Sequence, residues 1–135
     1  MAEQCVFCKI ARKELSASHV YEDDRAIAFL DFRPLSEGHT LIVPRKHYEN
    51  IHETPDEEVA HLFKIVKKVA TAVKKDMNAD GISVFQNNGS AAGQVVFHIH
   101  VHVIPRFREQ KPRQRRDAIR EELDEIAERI RQHLT

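Results

Sequence analysis

Residues 98–104 read His-Ile-His-Val-His-Val-Ile, with histidine at every second position three times running and branched aliphatics between. A period of two is the signature of a β-strand, whose successive side chains point to opposite faces. One face therefore carries His98, His100 and His102, and the other Ile99, Val101 and Val103. The aliphatic face demands a core, so the chain must build a sheet around this strand. Same-face neighbours two residues apart lie about 6 to 7 Å from one another, near enough for alternate imidazoles to share a ligand or a metal. A solvated sheet face tolerates one such histidine; three in strict alternation point to function.

The remaining chain supplies partners for that strand. Residues 20–30 read as two short strands joined at the acidic turn Glu22 to Arg25, and residues 40–43, β-branched and apolar between Gly38 and Pro44, read as a buried strand. Thr54 opens a helix, with Pro55 suited to its first position and Glu57 where a capping box places an acid. Val59, Leu62, Phe63, Val66, Val69, Ala70 and Val73 recur at helical steps and define its apolar face. Residues 82–86 read as a further strand, and the polar residues 87–94 as a loop leading into the histidines. From Arg115 on, Ile119, Leu123, Ile126, Ile130 and Leu134 trace an amphipathic helix, either docked on its own domain or offered to a partner. Strands, helix, strands with short connections favour an α+β fold: an antiparallel sheet with one long helix packed on it and a C-terminal amphipathic helix.

Charge narrows the partners. Lys plus Arg number 21 and Asp plus Glu 21, so no net field draws nucleic acid or an acidic membrane, and phosphate recognition must be local. The basic cluster at residues 111–116 lacks interleaved aromatics and reads as a solvated linker. No apolar run approaches a membrane span, and the opening MAEQCVFCKI lacks a secretory signal's apolar stretch, so a cytoplasmic location is expected. In a reducing compartment Cys5 and Cys8, three positions apart, suit metal binding or redox chemistry better than a structural disulfide.

Two chemistries fit three clustered imidazoles: a catalytic metal, or a nucleophile that attacks phosphorus while neutral. From residue 82 to 107 there is no Asp or Glu to support a metal. Instead Gly89 and Gly93 offer free backbone N–H groups, and Asn87 and Gln94 offer amides, to an anion. A phosphate-bearing substrate fits best.

The stretch GQVVFHIHVHVIPR resembles the signature of the histidine triad (HIT) superfamily, three alternating histidines followed by apolar residues, met by His98, His100, His102, Val103 and Ile104. The segments YEDDRAIAFLDFRP and GHTLIVPRKH resemble the family's strands in the same order, so the likeness spans residues 5–107. It implies a HIT domain over residues 1–110, extended by a linker and helix at residues 111–135. It also implies a homodimer that binds purine nucleotides and breaks a bond at the α-phosphate. On that resemblance His100 is the nucleophile, and His102 bonds the phosphate oxygens or the leaving atom. Asn87, Gln94 and the backbone N–H groups of Gly93 to Val95 steady the charge. Asp31 accepts from the ribose hydroxyls, unless it serves only the turn before Pro34, and His39 supports the site from a neighbouring strand. Val95 departs from the Ser or Thr of many relatives and leaves only a backbone donor there.

The zinc-bearing branch of the family completes Cys5 and Cys8 with His47 and His98, which implies a closed structural zinc site; a redox or idle cysteine pair is the competing reading. Zinc on His98 would make that residue an orienting member of the triad. His52, His61 and His133 are expected in solvent. The implied activity is a nucleotide hydrolase or phosphoramidase; a nucleotidyl transferase and a non-catalytic nucleotide-sensing scaffold are the alternatives.

Overall fold

The computed structural model describes residues 4–109 and 115–134. The elements run α1 (Val6–Ala11), β1 (His19–Glu22), β2 (Ala26–Leu30), β3 (Thr40–Pro44), α2 (Asp56–Met77), β4 (Gly81–Phe85), β5 (Val101–Arg106) and α3 (Arg120–Arg131). All five strands pair antiparallel in the order β1-β2-β3-β5-β4. This is the α+β arrangement that the strand, helix, strand order implies.

The sheet is covered on both faces, which is why β2 and β3 read as unbroken apolar runs. On one face Val20, Ala28, Ile42, Val101 and Val103 meet Leu62, Ile65, Val66, Val69 and Val73 of α2 and Leu123, Ile126 and Ile130 of α3. On the other, Ile27, Phe29, Leu41 and Val43 meet Phe7 and Ile10 of α1. The triad histidines share this second face: His102 stands opposite Leu41 across the β3–β5 ladder, and the rings of His98 and His100 meet Phe7.

Several boundaries differ from the expectations. Pro55 is the residue before the first helical turn of α2, because Thr54 spends its hydroxyl on the carbonyl of Asn50 instead of capping. Phe63 stands 38% exposed, about 100° round the helix from Leu62, and Ile65 and Ala72 complete the buried stripe in its place. The stripe from Arg115 begins as extended chain: Ile119 is exposed and α3 starts only at Arg120. Only the last of the three histidines lies on the paired strand, since β5 begins at Val101 and the chain before it alternates without a ladder partner. The six-residue α1 carries no sequence period to announce it.

One turn needs its glycine. Gly38 has φ +93°, and a Cβ there would come within 3.3 Å of both Met77 and Pro105. This turn sets His39 and Thr40 at the start of β3 behind the histidines. Among the described residues no helix is long and apolar enough to cross a membrane.

Candidate functional site

The histidine face holds two adjoining constellations, and His98 belongs to one while His100 and His102 belong to the other. In the first, the donor atoms of Cys5, Cys8, His47 and His98 all lie within 4.8 Å of one another. Cys5 Sγ is 3.3 Å from His98 Nδ1, and Cys8 Sγ is 3.4 Å from His47 Nδ1 and 3.5 Å from His98 Nδ1. A tetrahedron with ordinary zinc–sulfur and zinc–nitrogen bonds has sulfur–nitrogen edges of about 3.6 Å, so the spacing fits a single cation. The tautomer fits too. His98 Nε2 donates to the carbonyl of Pro44 at 2.8 Å, which fixes the ring proton there and leaves Nδ1 bare toward the sulfurs. Burial, then the neighbouring Cys5 sulfur, pushes the Cys8 thiol up to about 11. A cation would relieve that cost by taking the thiolate.

In the second constellation the backbone again chooses the protons. His100 Nδ1 donates to the carbonyl of His98 at 2.8 Å, so Nε2 keeps its lone pair. The amide of Leu35 donates to His39 Nδ1 at 3.1 Å, so the proton of His39 sits on Nε2. That proton goes to His102 Nδ1 at 2.9 Å. Asp31 Oδ2, at 3.6 Å from the same nitrogen, is too far to compete. His102 must then carry its own proton on Nε2. The result is one bare imidazole nitrogen on His100 and one N–H donor on His102, on rings whose centroids are 5.0 Å apart.

The rings of His39, His98, His100 and His102 are neutral near pH 7. Burial lowers His39 to about 3, with His102 and Arg115 adding to it, and lowers His98 to about 4. Burial, then the repulsion that a second proton would meet from the adjacent His100, takes His102 to about 4, and burial lowers His100 as well. Asp31, Oδ1 of which accepts from the amide of Arg33 at 2.8 Å, is pushed up by burial. A cation held by Asp31, His39 and His102 would have to displace the proton that Leu35 forces onto His39 Nε2. The second chemistry, a nucleophile on phosphorus, therefore suits this constellation better than a metal does.

A cleft of about 480 Å³ opens onto these groups and includes Asp31, Asn87, Gly93, Val95, His100 and His102 among its lining. That volume suits a small organic ligand. His39 lies fully buried behind the cleft, as a support. Gln94 does not reach it: its amide accepts from Gly89 N–H at 2.7 Å and donates to the carbonyls of Glu49 and Val96, so it shapes the loop from inside. Gly93, at φ +96° with Asn87 Nδ2 3.3 Å from where a Cβ would stand, lets that loop turn against the Asn87 side chain.

Other cleft residues carried no local signal. Phe85, opposite His102 in the β4–β5 ladder, stacks on its ring at 4.4 Å. Phe7 meets His100 edge-on at 5.0 Å. Arg115, expected in solvent with the rest of its basic cluster, instead bonds Asp31 at 3.1 Å across 84 residues of sequence; residues 111–114 lie outside the described residues. His61 is likewise not simply solvated, since its Nε2 lies 2.8 Å from Asp23.

Comparison with known proteins agrees with this fold. Residues 12–109 match the HIT domain profile. An uncharacterised HIT-like protein of Methanocaldococcus jannaschii is 50% identical over 103 residues, 76% of this chain and 79% of that one. An adenylylsulfatase of Arabidopsis thaliana is 45% identical over 106 residues, 78% of this chain and 54% of that one. The crystal structure of a zinc-bound histidine triad family protein from Mycobacterium smegmatis superposes with a TM-score of 0.88 at 37% identity, covering 98% of this chain and 94% of that one. With residues 12–109 matched by the family profile and a HIT-like relative 50% identical over 103 residues, the chain belongs to the HIT domain family.

Proposed function

We propose that this protein is a nucleotide hydrolase or phosphoramidase that cleaves at the α-phosphate of a purine nucleotide conjugate. The observation that carries the reading is the pair of fixed tautomers, a bare Nε2 on His100 beside an N–H on His102 in a cleft with Asn87 and Gly93. His100 Nε2 attacks phosphorus, the N–P bond forms, and the bond to the leaving group breaks with its electron pair going to the leaving atom. His102 Nε2–H donates to the phosphoryl oxygens or to that atom, and the N–H of Val95 faces the negative charge, those of Gly93 and Gln94 being spent on the carbonyls of Ser90 and Gly89. Water then attacks the nucleotidyl-histidine, releasing the nucleoside monophosphate and restoring His100. Asp31, the one carboxylate among the described cleft residues, is the acceptor for the ribose hydroxyls. The Arabidopsis relative's name, an adenylylsulfatase, is of this reaction class.

Cys5, Cys8, His47 and His98 would hold a structural zinc, which supplies no reacting position and ties α1 to the histidine segment. The two thiols, free of a disulfide, suit the cytoplasm. β4 ends the sheet with Val84 exposed, and the nearby segment exposes Val95 and Phe97, a surface suited to a homodimer. The decisive test is His100→Ala: turnover of nucleotide conjugates falls by orders of magnitude while the far-ultraviolet spectrum and nucleotide binding persist. A variant as active as the parent refutes the mechanism.

A further inference from the structure

Arg115 is the residue of the cleft that this scheme leaves without work. Its Nη2 donates to Asp31 Oδ2 at 3.1 Å and its Nε to the carbonyl of Arg33 at 2.7 Å. The segment is held at two further points, by Arg33 Nε on Asp117 at 3.1 Å and by the amide of Ala118 on the carbonyl of Phe32 at 2.8 Å. Residues 115–118 thus lie along residues 31–33 and bring a guanidinium to the rim of the cleft that His100 and His102 line. Among its described lining residues the cations are Arg33 and Arg115, and Arg33 already faces Asp117.

Two facts give this guanidinium a task. It donates to Asp31, the carboxylate that the ribose hydroxyls would also use, so it stands beside an arriving nucleotide. The Asp31 carboxylate, His39 and His102 offer atoms within 4.8 Å of one another, so the guanidinium bonded to Asp31 stands on the His102 side of the cleft. The cleft also lacks a side-chain donor at Val95, which is 83% exposed and apolar. A leaving group that departs as an anion, a sulfate or a phosphate, needs a cation at that moment; an amine needs only a proton, which His102 already carries.

Resting on the hydrolase reading, we propose that Arg115 is a specificity residue that binds an anionic leaving group, so that the cleft favours nucleotides joined through the α-phosphate to a sulfate or second phosphate over those joined to an amine. The His100–phosphorus bond forms as the phosphorus–oxygen bond breaks, and the oxygen leaves with its electron pair against the guanidinium. Charge-assisted bonds of this kind are worth roughly ten- to hundredfold in rate.

The test compares the parent with Arg115→Ala and Arg115→Lys on adenylyl sulfate, diadenosine triphosphate and adenosine phosphoramidate. Arg115→Ala is expected to lose about ten- to hundredfold in kcat/KM on the first two and less than about threefold on the amide, with Arg115→Lys between. A loss on the sulfate alone, or on the polyphosphate alone, names which anion the residue serves. Equal loss on all three, or none on any, overturns the proposal. Calorimetric binding of AMP against the methylene analogue of ADP separates this from failure of the hydrolase reading: even with no turnover, the parent should prefer the analogue and Arg115→Ala should not. A parent without that preference also overturns it.

Discussion

The neutral histidines behind the cleft make a quantitative prediction about acid. His39 is buried with its pKa near 3 and His102, partly open to the cleft, near 4, both chiefly through burial. Unfolded, each titrates near 6.5. A lowered imidazole pKa means that the unfolded chain binds the proton first, so stability is intact above about pH 6.5 and is lost as pH falls toward the folded values. At pH 5 the unfolded state gains about 2 kcal/mol from protonating His39, and about 1 kcal/mol from His102 once solvent screening is discounted. A loss of about 3 kcal/mol is a large part of a typical total of 5 to 15 kcal/mol. Urea unfolding followed by circular dichroism at pH 7, 6 and 5 measures it, and the comparison that isolates it is His39→Gln. That variant is less stable at pH 7, because it disturbs the bonds to Leu35 and His102. Between pH 7 and 5 it should lose about 2 kcal/mol less than the parent. Groups away from this contact that titrate in the range act alike in both proteins and cancel. Parallel losses in parent and variant would refute the claim that His39 is held neutral by its surroundings.

Two further outcomes test the supports of the site. Elemental analysis should find one zinc per chain, and a strong chelator should lower Tm by more than about 10 °C, since a ligand at a thousandfold excess over its Kd contributes about 4 kcal/mol; His47→Ala should show the same lowered Tm and no response to chelator, and a metal-free parent of unchanged Tm would remove the structural role. Gly93→Ala forces a side chain onto φ +96° and toward Asn87, so it should cost about 1 to 2 kcal/mol of stability and raise KM for nucleotide while zinc content stays the same; unchanged KM would mean that this loop does not touch the substrate.

What the sequence disclosed and what it hid divide along a physical line. The runs of β2 and β3 and the stripe of α2 are local periodicities, each dictated by which face must be buried, and they marked those elements to within a residue or two, whereas the alternating histidines read as strand from three residues before β5 begins. Phe63 shows the limit of that logic, since a stripe at three- and four-residue steps is wider than the face a flat sheet covers. The ligand set Cys5, Cys8, His47 and His98 spans 93 residues of sequence and came only through resemblance, because no period links a thiol on α1 to an imidazole before β5.

The same division explains why the chemistry of the cleft was half legible. The proposed roles of His100 as nucleophile and His102 as donor are an assignment of protons, and the protons are set by the carbonyl of His98 and the amide of Leu35, backbone groups that carry no side-chain signal. Sequence names side chains; the tautomers belong to the backbone that surrounds them. Gln94 makes the converse point, for an amide that reads as an anion ligand is consumed by the loop it builds. Arg115, six residues beyond the family match and within a charge run, has no pattern of its own, and its meaning arises from the fold bringing residues 115–118 back against residues 31–33. A site whose reacting groups are written locally and whose selectivity is written by long-range return of the chain can keep its reaction while changing its leaving group, and the substitutions at Arg115 separate those two properties.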